Sequence, residues 1–194
     1  MLRTLRLREM NPGYVHGAYN AVRNCLRVQS HERVTLITDY DTIDIGKCLF
    51  DEVRQVGSEI NSFVLENLTA RPMRKMPSAV MEAMSRSDVG ILCVKSQVGE
   101  AKVRGDLIQV VEQAGVRYAH MIGITSEIML QSMRADFEKV YALGDRLLAH
   151  ARSARKAYVK TELGTDMVVT LSPKLRWQNT GGKITPEVWS NLPA

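Results

Sequence analysis

The sequence contains few of the residues that define several protein classes. Its 194 residues include three cysteines, six prolines and 6% aromatic residues, so a disulfide-stabilised scaffold and a proline-rich disordered chain are both excluded. Cys25, Cys48 and Cys93 form no CxxC pair, and each stands beside aliphatic residues. They are therefore predicted to be buried free thiols in a reducing compartment, which favours a cytoplasmic location.

Long apolar runs and dense blocks of one charge are also missing. No run approaches the roughly 20 residues needed to cross a bilayer, and the basic N-terminus MLRTLRLREM lacks the continuous apolar region of a secretory signal. The net charge of +5 comes from 26 Lys and Arg against 21 Asp and Glu, spread along the chain. A nucleic-acid surface needs a denser cluster. We therefore expect neither a membrane nor a nucleic acid as a partner.

What the sequence does contain is an alternation of apolar strands and amphipathic helices. Residues 34–38 and 89–94 are short and almost wholly apolar, as expected for strands that are covered on both faces. A helix between 41 and 57 carries a stripe of Ile45, Leu49, Val53 and Val56. The alternation predicts an α/β fold with a doubly wound, mostly parallel, Rossmann-like sheet.

Several local features complete this prediction. Asp41 is expected to cap the helix that ends at Gly57. The connection 67–76 is polar and is expected to be an exposed loop with a solvated charged cluster of Arg71, Arg74 and Lys75. Two further apolar stripes are predicted at helical spacing, one of Val15, Tyr19, Val22 and Leu26 and one of Phe137, Val140, Tyr141, Leu147 and Leu148.

The pattern changes near the C-terminus. Residues 158–161 and 167–171 are strand-like and have no helix between them, which predicts an antiparallel β-hairpin extension. The tail that follows is rich in turn residues. We therefore divide the chain into an α/β domain over 1–155 and a hairpin with a turn-rich tail over 156–194.

The candidate ligand contacts are few. The loops contain neither GxGxxG nor GxxxxGK[ST], and the four histidines are scattered. Asp39 follows the first strand, where doubly wound folds place ligands, although a role in organising the turn with Asp41 is the favoured interpretation. Thr125 and Ser126 begin a helix that could hold an anion, but simple helix capping explains them better. The residues alone therefore show no catalytic set, and Cys93 and His120 are expected to be core residues.

Three stretches resemble the N-terminal half of the thermophilic metalloprotease family, the leucyl aminopeptidase-like enzymes that include aminopeptidase T and aminopeptidase S. They begin with RVTLITDYDT, GITSEIML and GGKITPEVWSNLPA. The most specific pieces are 123–130, Gly164-Thr165-Asp166 and Asn191-Leu192-Pro193-Ala194, and their order and spacing carry the resemblance. It runs from about Tyr14 to the last residue.

The resemblance implies a two-metal aminopeptidase as the parent protein, in which paired divalent ions activate water and polarise the scissile carbonyl of a peptide substrate. In that family the metal ligands begin just beyond the Asn-Leu-Pro-Ala stretch, in a C-terminal domain, so no family ligand is carried onto a residue here. This chain is then expected to be a non-catalytic N-terminal domain without a cofactor of its own. Its implied partners are the C-terminal catalytic domain and a second copy in a homodimer.

Two other functions stay open. A related branch of the same fold consists of iron-dependent dioxygenases that open dihydroxypyridine rings, and this chain could be the N-terminal domain of such an enzyme. The other possibility is a stand-alone interaction or small-ligand α/β module.

Overall fold

A five-stranded parallel sheet forms the centre of the molecule. The computed structural model describes residues 11–172, 174 and 177–193. The strands are β1 (Arg33–Thr38), β2 (Glu59–Val64), β3 (Val89–Val94), β4 (Arg117–Ile122), β5 (Lys156–Lys160), β6 (Asp166–Thr170) and β7 (Ser190–Asn191). The order across the main sheet is β2-β1-β3-β4-β7 with every neighbouring pair parallel, while β5 and β6 form a separate antiparallel pair. The predicted fold class is therefore confirmed.

Helices cover both faces of this sheet. They are α1 (Tyr14–Tyr19), α2 (Ile43–Val56), α3 (Ser78–Ser85), α4 (Ala101–Ala114), α5 (Ser126–Leu130) and α6 (Phe137–Ala151), and a π-helical segment (Asn20–Cys25) continues α1. No helix among the described residues has both the length and the apolar character that a membrane span requires.

Alternate residues of the central strands enter two separate cores. Leu36 and Ile91 pack in the core that contains α1 and α2, whereas Ile37 and Leu92 pack in the core that contains α3 and α4. Burial of each such side chain contributes about 1.5–3 kcal/mol. Because both faces are covered, β3 is apolar and buried over its whole length, and β1 is buried from Val34 to Thr38 although Thr35 and Thr38 are polar.

The prediction for α2 is confirmed except at its first residue. Ile45, Leu49 and Val53 are buried, and Gly57 ends the helix in the left-handed conformation with φ 92°. The expected cap at Asp41 is wrong, because Thr42 occupies the N-cap position. The Asp41 carboxylate instead lies 3.5 Å from the Lys95 ammonium.

The predicted stripe on the first helix is half wrong. Val22 and Leu26 are buried, but Val15 and Tyr19 are 45% and 47% exposed. The helix packs through its small residues instead, since a Cβ added to Gly17 would lie only 2.9 Å from the Met129 Cε. Beyond Tyr19 the π-helical turns change the spacing and bring Val22 and Leu26 onto the buried side.

The C-terminal part divides into an exposed arm and a segment that returns to the sheet. The hairpin is confirmed, with Tyr158 opposite Val168, and every residue of β6 is exposed. Along α6 only Phe137 is buried, and Leu147 is 61% exposed. The predicted boundary at residue 155 stays a prediction, but the tail beyond the hairpin joins the α/β layer because β7 pairs with β4 and Ile184 and Leu192 enter a core.

Candidate functional site at the switch point of the sheet

The strand order creates a switch point between β1 and β3. The chain moves outward from β1 to β2 on one side and from β3 to β4 on the other, and ligands of doubly wound folds bind beyond the carboxyl ends of the strands at such a point. The first residues after these two strands are Asp39 and Lys95. The chemistry of the site therefore depends on what surrounds them.

Asp39 is completely buried and connects the ends of the two strands. Its Oδ2 atom accepts a hydrogen bond from the Lys95 amide at 2.7 Å, and its Oδ1 atom accepts one from the Thr42 amide at 2.9 Å. The Thr42 hydroxyl lies 2.8 Å from the same Oδ1 and 2.6 Å from the Cys93 carbonyl, and its single proton can be donated to only one of them at a time. Asp39 thus organises the turn, which is the interpretation that the sequence favours, but its partner in the turn is Thr42 rather than Asp41.

Arg71 fills the centre of the switch point. Its Nε and NH2 atoms donate to the two oxygens of Glu100 at 3.0 and 2.6 Å, and its NH1 atom donates to Asp39. The remaining protons are directed at Glu66 Oε1, 3.5 Å from NH1, and at the Lys95 carbonyl, 2.9 Å from NH2. All five N–H donors of the guanidinium therefore have an acceptor.

Glu100 joins this network to α4. It stands at the N-cap position of the helix, and its Oε1 atom also accepts a hydrogen bond from the Met73 amide at 2.8 Å. Burial alone would raise the pKa of the Glu100 carboxyl, but the hydrogen bonds from Arg71 and Met73 outweigh it and hold the pKa below its ordinary value. The bidentate pair with Arg71 is therefore between two charged groups at neutral pH.

The prediction of an exposed, solvated loop over 67–76 is wrong at Arg71. The Arg71 side chain is 3% exposed, and Met73 and Met76 are buried as well. Arg74 and Lys75 are exposed, as expected. Sequence reasoning missed Arg71 because its partners Asp39 and Glu100 lie 32 and 29 residues away along the chain. The spacing of the two buried methionines is the signal that could have indicated a packed segment.

Thr125 and Ser126 lie apart from this network, beyond the end of β4. Thr125 Oγ1 accepts a hydrogen bond from the Ile128 amide at 3.3 Å, which is the capping role that was favoured. The Ser126 hydroxyl contacts the Tyr14 hydroxyl. Among the described residues neither side chain is hydrogen-bonded to Asp39 or Arg71, and the role of Thr125 and Ser126 as ligand contacts stays a prediction.

The cysteines and His120 are core residues, as predicted. All three cysteines are free and buried, and burial raises the pKa of the Cys93 thiol to about 12. The Nδ1 atom of His120 lies 3.2 Å from the Tyr118 hydroxyl, and burial followed by the charge of Arg104 lowers the pKa of His120 to about 4. His120 is therefore neutral at pH 7. The described part of the chain holds no group of three or more His, Cys, Asp or Glu side chains arranged to bind a metal ion.

Comparison with known proteins identifies the fold. No protein-family model matches the chain, and no curated protein is significantly similar to it in sequence. Among solved structures the chain is similar to the 2,5-dihydroxypyridine dioxygenase from Pseudomonas putida KT2440, with a TM-score of 0.59 and 12% sequence identity. The similarity covers 91% of this chain and 52% of the dioxygenase chain, so this chain spans about half the length of that protein.

Proposed function

We propose that this chain is the N-terminal, non-catalytic α/β domain of a metal-dependent, leucyl aminopeptidase-like enzyme. The observation that carries the proposal is the Asp39–Arg71–Glu100 network. It occupies the position where doubly wound folds bind ligands, and its guanidinium donors are fully used within the protein. A switch point filled in this way serves stability, and the reaction belongs to another part of the protein.

The sequence resemblance supplies the chemistry of that other part. The ordered motifs at 123–130, Gly164-Thr165-Asp166 and Asn191-Leu192-Pro193-Ala194 favour a parent that removes N-terminal residues from peptides with two divalent metal ions. The return of the tail to the sheet supports this arrangement, since β7 ends beside β4. A domain that follows would therefore start from a fixed point at the edge of the sheet.

A ring-cleaving iron dioxygenase is the second candidate parent. One observation favours it: the dihydroxypyridine dioxygenase shares the fold of this chain over about half of its own length. At 12% identity this likeness concerns the fold alone, so it does not outweigh the ordered sequence motifs. In both cases the present chain is the supporting domain.

Two assays test the proposal. The 194-residue chain is incubated with leucine p-nitroanilide and Zn²⁺, Co²⁺ or Mn²⁺, and separately with 2,5-dihydroxypyridine, Fe²⁺ and oxygen. We expect no turnover in either assay. Metal-dependent hydrolysis by this chain would overturn its non-catalytic role.

The same assays on the complete gene product identify the parent. Peptide hydrolysis that is lost with a chelator and restored by divalent ions is the expected result. Ring cleavage with Fe²⁺ in place of hydrolysis would assign the dioxygenase parent. If the complete gene product shows no activity in either assay, that result would favour the stand-alone interaction or small-ligand module.

A further inference from the structure

A cavity of about 320 Å³ is lined by residues that take no part in the switch-point network. Three segments that are far apart in sequence form its wall: residues 24–27 around the end of the π-helical segment, the first two turns of α6 and residues 182–183 of the tail. Its lining residues are Asn24, Arg27, Phe137, Glu138, Tyr141, Gly182 and Lys183. This volume is in the lower part of the range of small-molecule sites.

Close backbone contacts fix these three segments to one another. The Ile184 amide donates to the Cys25 carbonyl at 3.4 Å, and Ile184 is completely buried. A Cβ added to Gly182 would lie 2.4 Å from the Phe137 ring, and one added to Gly181 would lie 3.0 Å from the Tyr141 Cα. The cavity is therefore bounded by packed chain rather than by loose surface loops.

Two unusual backbone features stand next to the cavity. The segment before it is a six-residue π-helix, a rare form that is frequent at functional sites. Arg27 follows with φ 52°, the one positive φ outside glycine among the residues described. A branched or long side chain in this conformation costs free energy, and such costs concentrate at binding and active sites.

The charges on the cavity wall point to one class of ligand. The Arg27 NH2 atom donates to the Ile184 carbonyl at 3.0 Å, which fixes the guanidinium, and the Lys183 ammonium lies 5.1 Å from the centre of the Tyr141 ring. Within the described chain neither cation has a carboxylate within 4 Å, and Glu138 has no cation within that distance. The lining therefore carries a net charge of +1, with Phe137 and Tyr141 as its apolar part.

We propose that this cavity binds a small organic carboxylate, with its carboxylate held by Arg27 and Lys183 and its apolar part against Phe137 and Tyr141. The planar guanidinium fork matches the geometry of a carboxylate. A monoanion matches the net charge of +1 on the wall, whereas a phosphate dianion exceeds it. This site is independent of the proposed aminopeptidase role and of the metal chemistry.

The test is a titration of the ¹⁵N-labelled chain followed by heteronuclear NMR. The probes are 4-methylpentanoate, its neutral amide 4-methylpentanamide, and inorganic phosphate. We expect 4-methylpentanoate to bind with a dissociation constant of about 1 mM or tighter, and to shift the amide signals of Asn24, Gly182 and Lys183. The amide and phosphate should bind at least about tenfold more weakly. Binding of the amide or of phosphate as tight as that of 4-methylpentanoate, or shifts confined to other surfaces, would overturn the proposal.

Variants separate binding from folding. Lys183→Gln and Arg27→Gly each remove one cation, and Gly accepts the positive φ of residue 27. Each should weaken 4-methylpentanoate binding at least about tenfold, while circular dichroism shows a thermal midpoint within about 4 °C of the parent chain. Lys139→Gln is the matched control, because Lys139 lies on α6, pairs with Asp136 and does not line the cavity. Unchanged binding in both cation variants would overturn the assignment.

Discussion

Arg71 shows how one buried side chain can determine the state of a whole site. Removing a guanidinium and two carboxylates from water costs several kcal/mol for each ion, and the cost is recovered only when every charge has good partners. Here the fork of Arg71 is matched to Glu100 through two hydrogen bonds, and the Lys95 amide assists Asp39. The network stabilises the fold only as a complete unit.

We expect Arg71→Met to lower the free energy of unfolding by about 3–5 kcal/mol. Methionine fills much of the space but leaves Asp39 and Glu100 buried without their cation. Urea denaturation followed by circular dichroism measures the change. Arg74→Met, an exposed position in the same connection, is the control and should change the free energy by less than about 0.5 kcal/mol.

The coupling between Arg71 and Glu100 separates a network from two independent contacts. Adding Glu100→Gln to Arg71→Met removes one of the stranded charges, so the double variant should lose clearly less stability than the sum of the two single variants. Additive losses, or a single-variant loss below about 1 kcal/mol, would contradict the network.

His120 should make the stability of the protein depend on pH. Its pKa is about 4 in the folded chain against 6.5 for the free side chain. Between these values the unfolded chain binds the proton and the folded chain does not, so stability falls as the pH falls from about 6.5 to 4. The full shift corresponds to about 3 kcal/mol.

The measurement is the free energy of unfolding at pH 7.5, 6.0 and 5.0. We expect His120→Gln to reduce the loss of stability between pH 7.5 and 5.0, whereas the same substitution at His31, which is exposed, should leave that loss unchanged. An identical pH slope in the parent chain and His120→Gln would show that His120 is not the titrating group.

At the level of elements, the helical glycines Gly46 and Gly105 differ in the space available for a side chain, and they can be compared by the same substitution. A Cβ added to Gly46 of α2 would lie 2.8 Å from the Thr38 Oγ1 and 3.0 Å from its Cβ, whereas one added to Gly105 of α4 meets nothing within 4 Å. Alanine is the better helix former by about 1 kcal/mol, so Gly105→Ala should stabilise by about 0.5–1 kcal/mol. Gly46→Ala should destabilise by about 1–3 kcal/mol, because α2 must move away from β1.

Thermal and urea unfolding of these two variants measure the difference directly. A gain in stability for Gly46→Ala would mean that α2 can shift on the sheet without cost. A loss for Gly105→Ala would mean that this face of α4 contacts something in solution.

The elements differ in how much of their structure could be predicted from sequence. The apolar runs of β1 and β3 and the stripe of α2 are local patterns, and the structure confirms them. The prediction of the buried face of α1 was half wrong, because this helix packs through Gly17, and a pattern of apolar side chains does not indicate a glycine contact. β7 consists of Ser190 and Asn191, which have no strand pattern, and it forms because β4 offers a free edge.

The candidate site follows the same division. The position of Asp39 after β1 was predictable, because it depends only on the order of strand and turn. The position of the Arg71 side chain beside Asp39 was not predictable from sequence, because no local pattern indicates which carboxylates an arginine in the connection 67–76 will pair with. Pairings between side chains about 30 residues apart along the chain are decided by tertiary packing alone.

At the scale of the whole molecule, the two C-terminal pieces carry different weight. The hairpin of β5 and β6 forms its own small sheet and exposes all of β6, whereas the tail supplies β7 and places Ile184 and Leu192 in the core. Its Leu192 amide also donates to the His120 carbonyl at 3.1 Å. The tail therefore supplies the fifth strand of the main sheet, whereas the hairpin forms a sheet of its own.

Replacing each piece by a Gly/Ser linker of equal length should show this difference. Replacement of 156–170 should change the free energy of unfolding by only about 1 kcal/mol, since a flexible loop of the same length adds little entropic cost. Replacement of 177–193 removes two fully buried side chains and a strand, so we expect a loss of more than about 4 kcal/mol. Urea unfolding gives both values, and hydrogen exchange should show faster exchange of the β4 amides only in the second variant. Equal losses in the two variants would mean that the hairpin, too, is part of the cooperative unit.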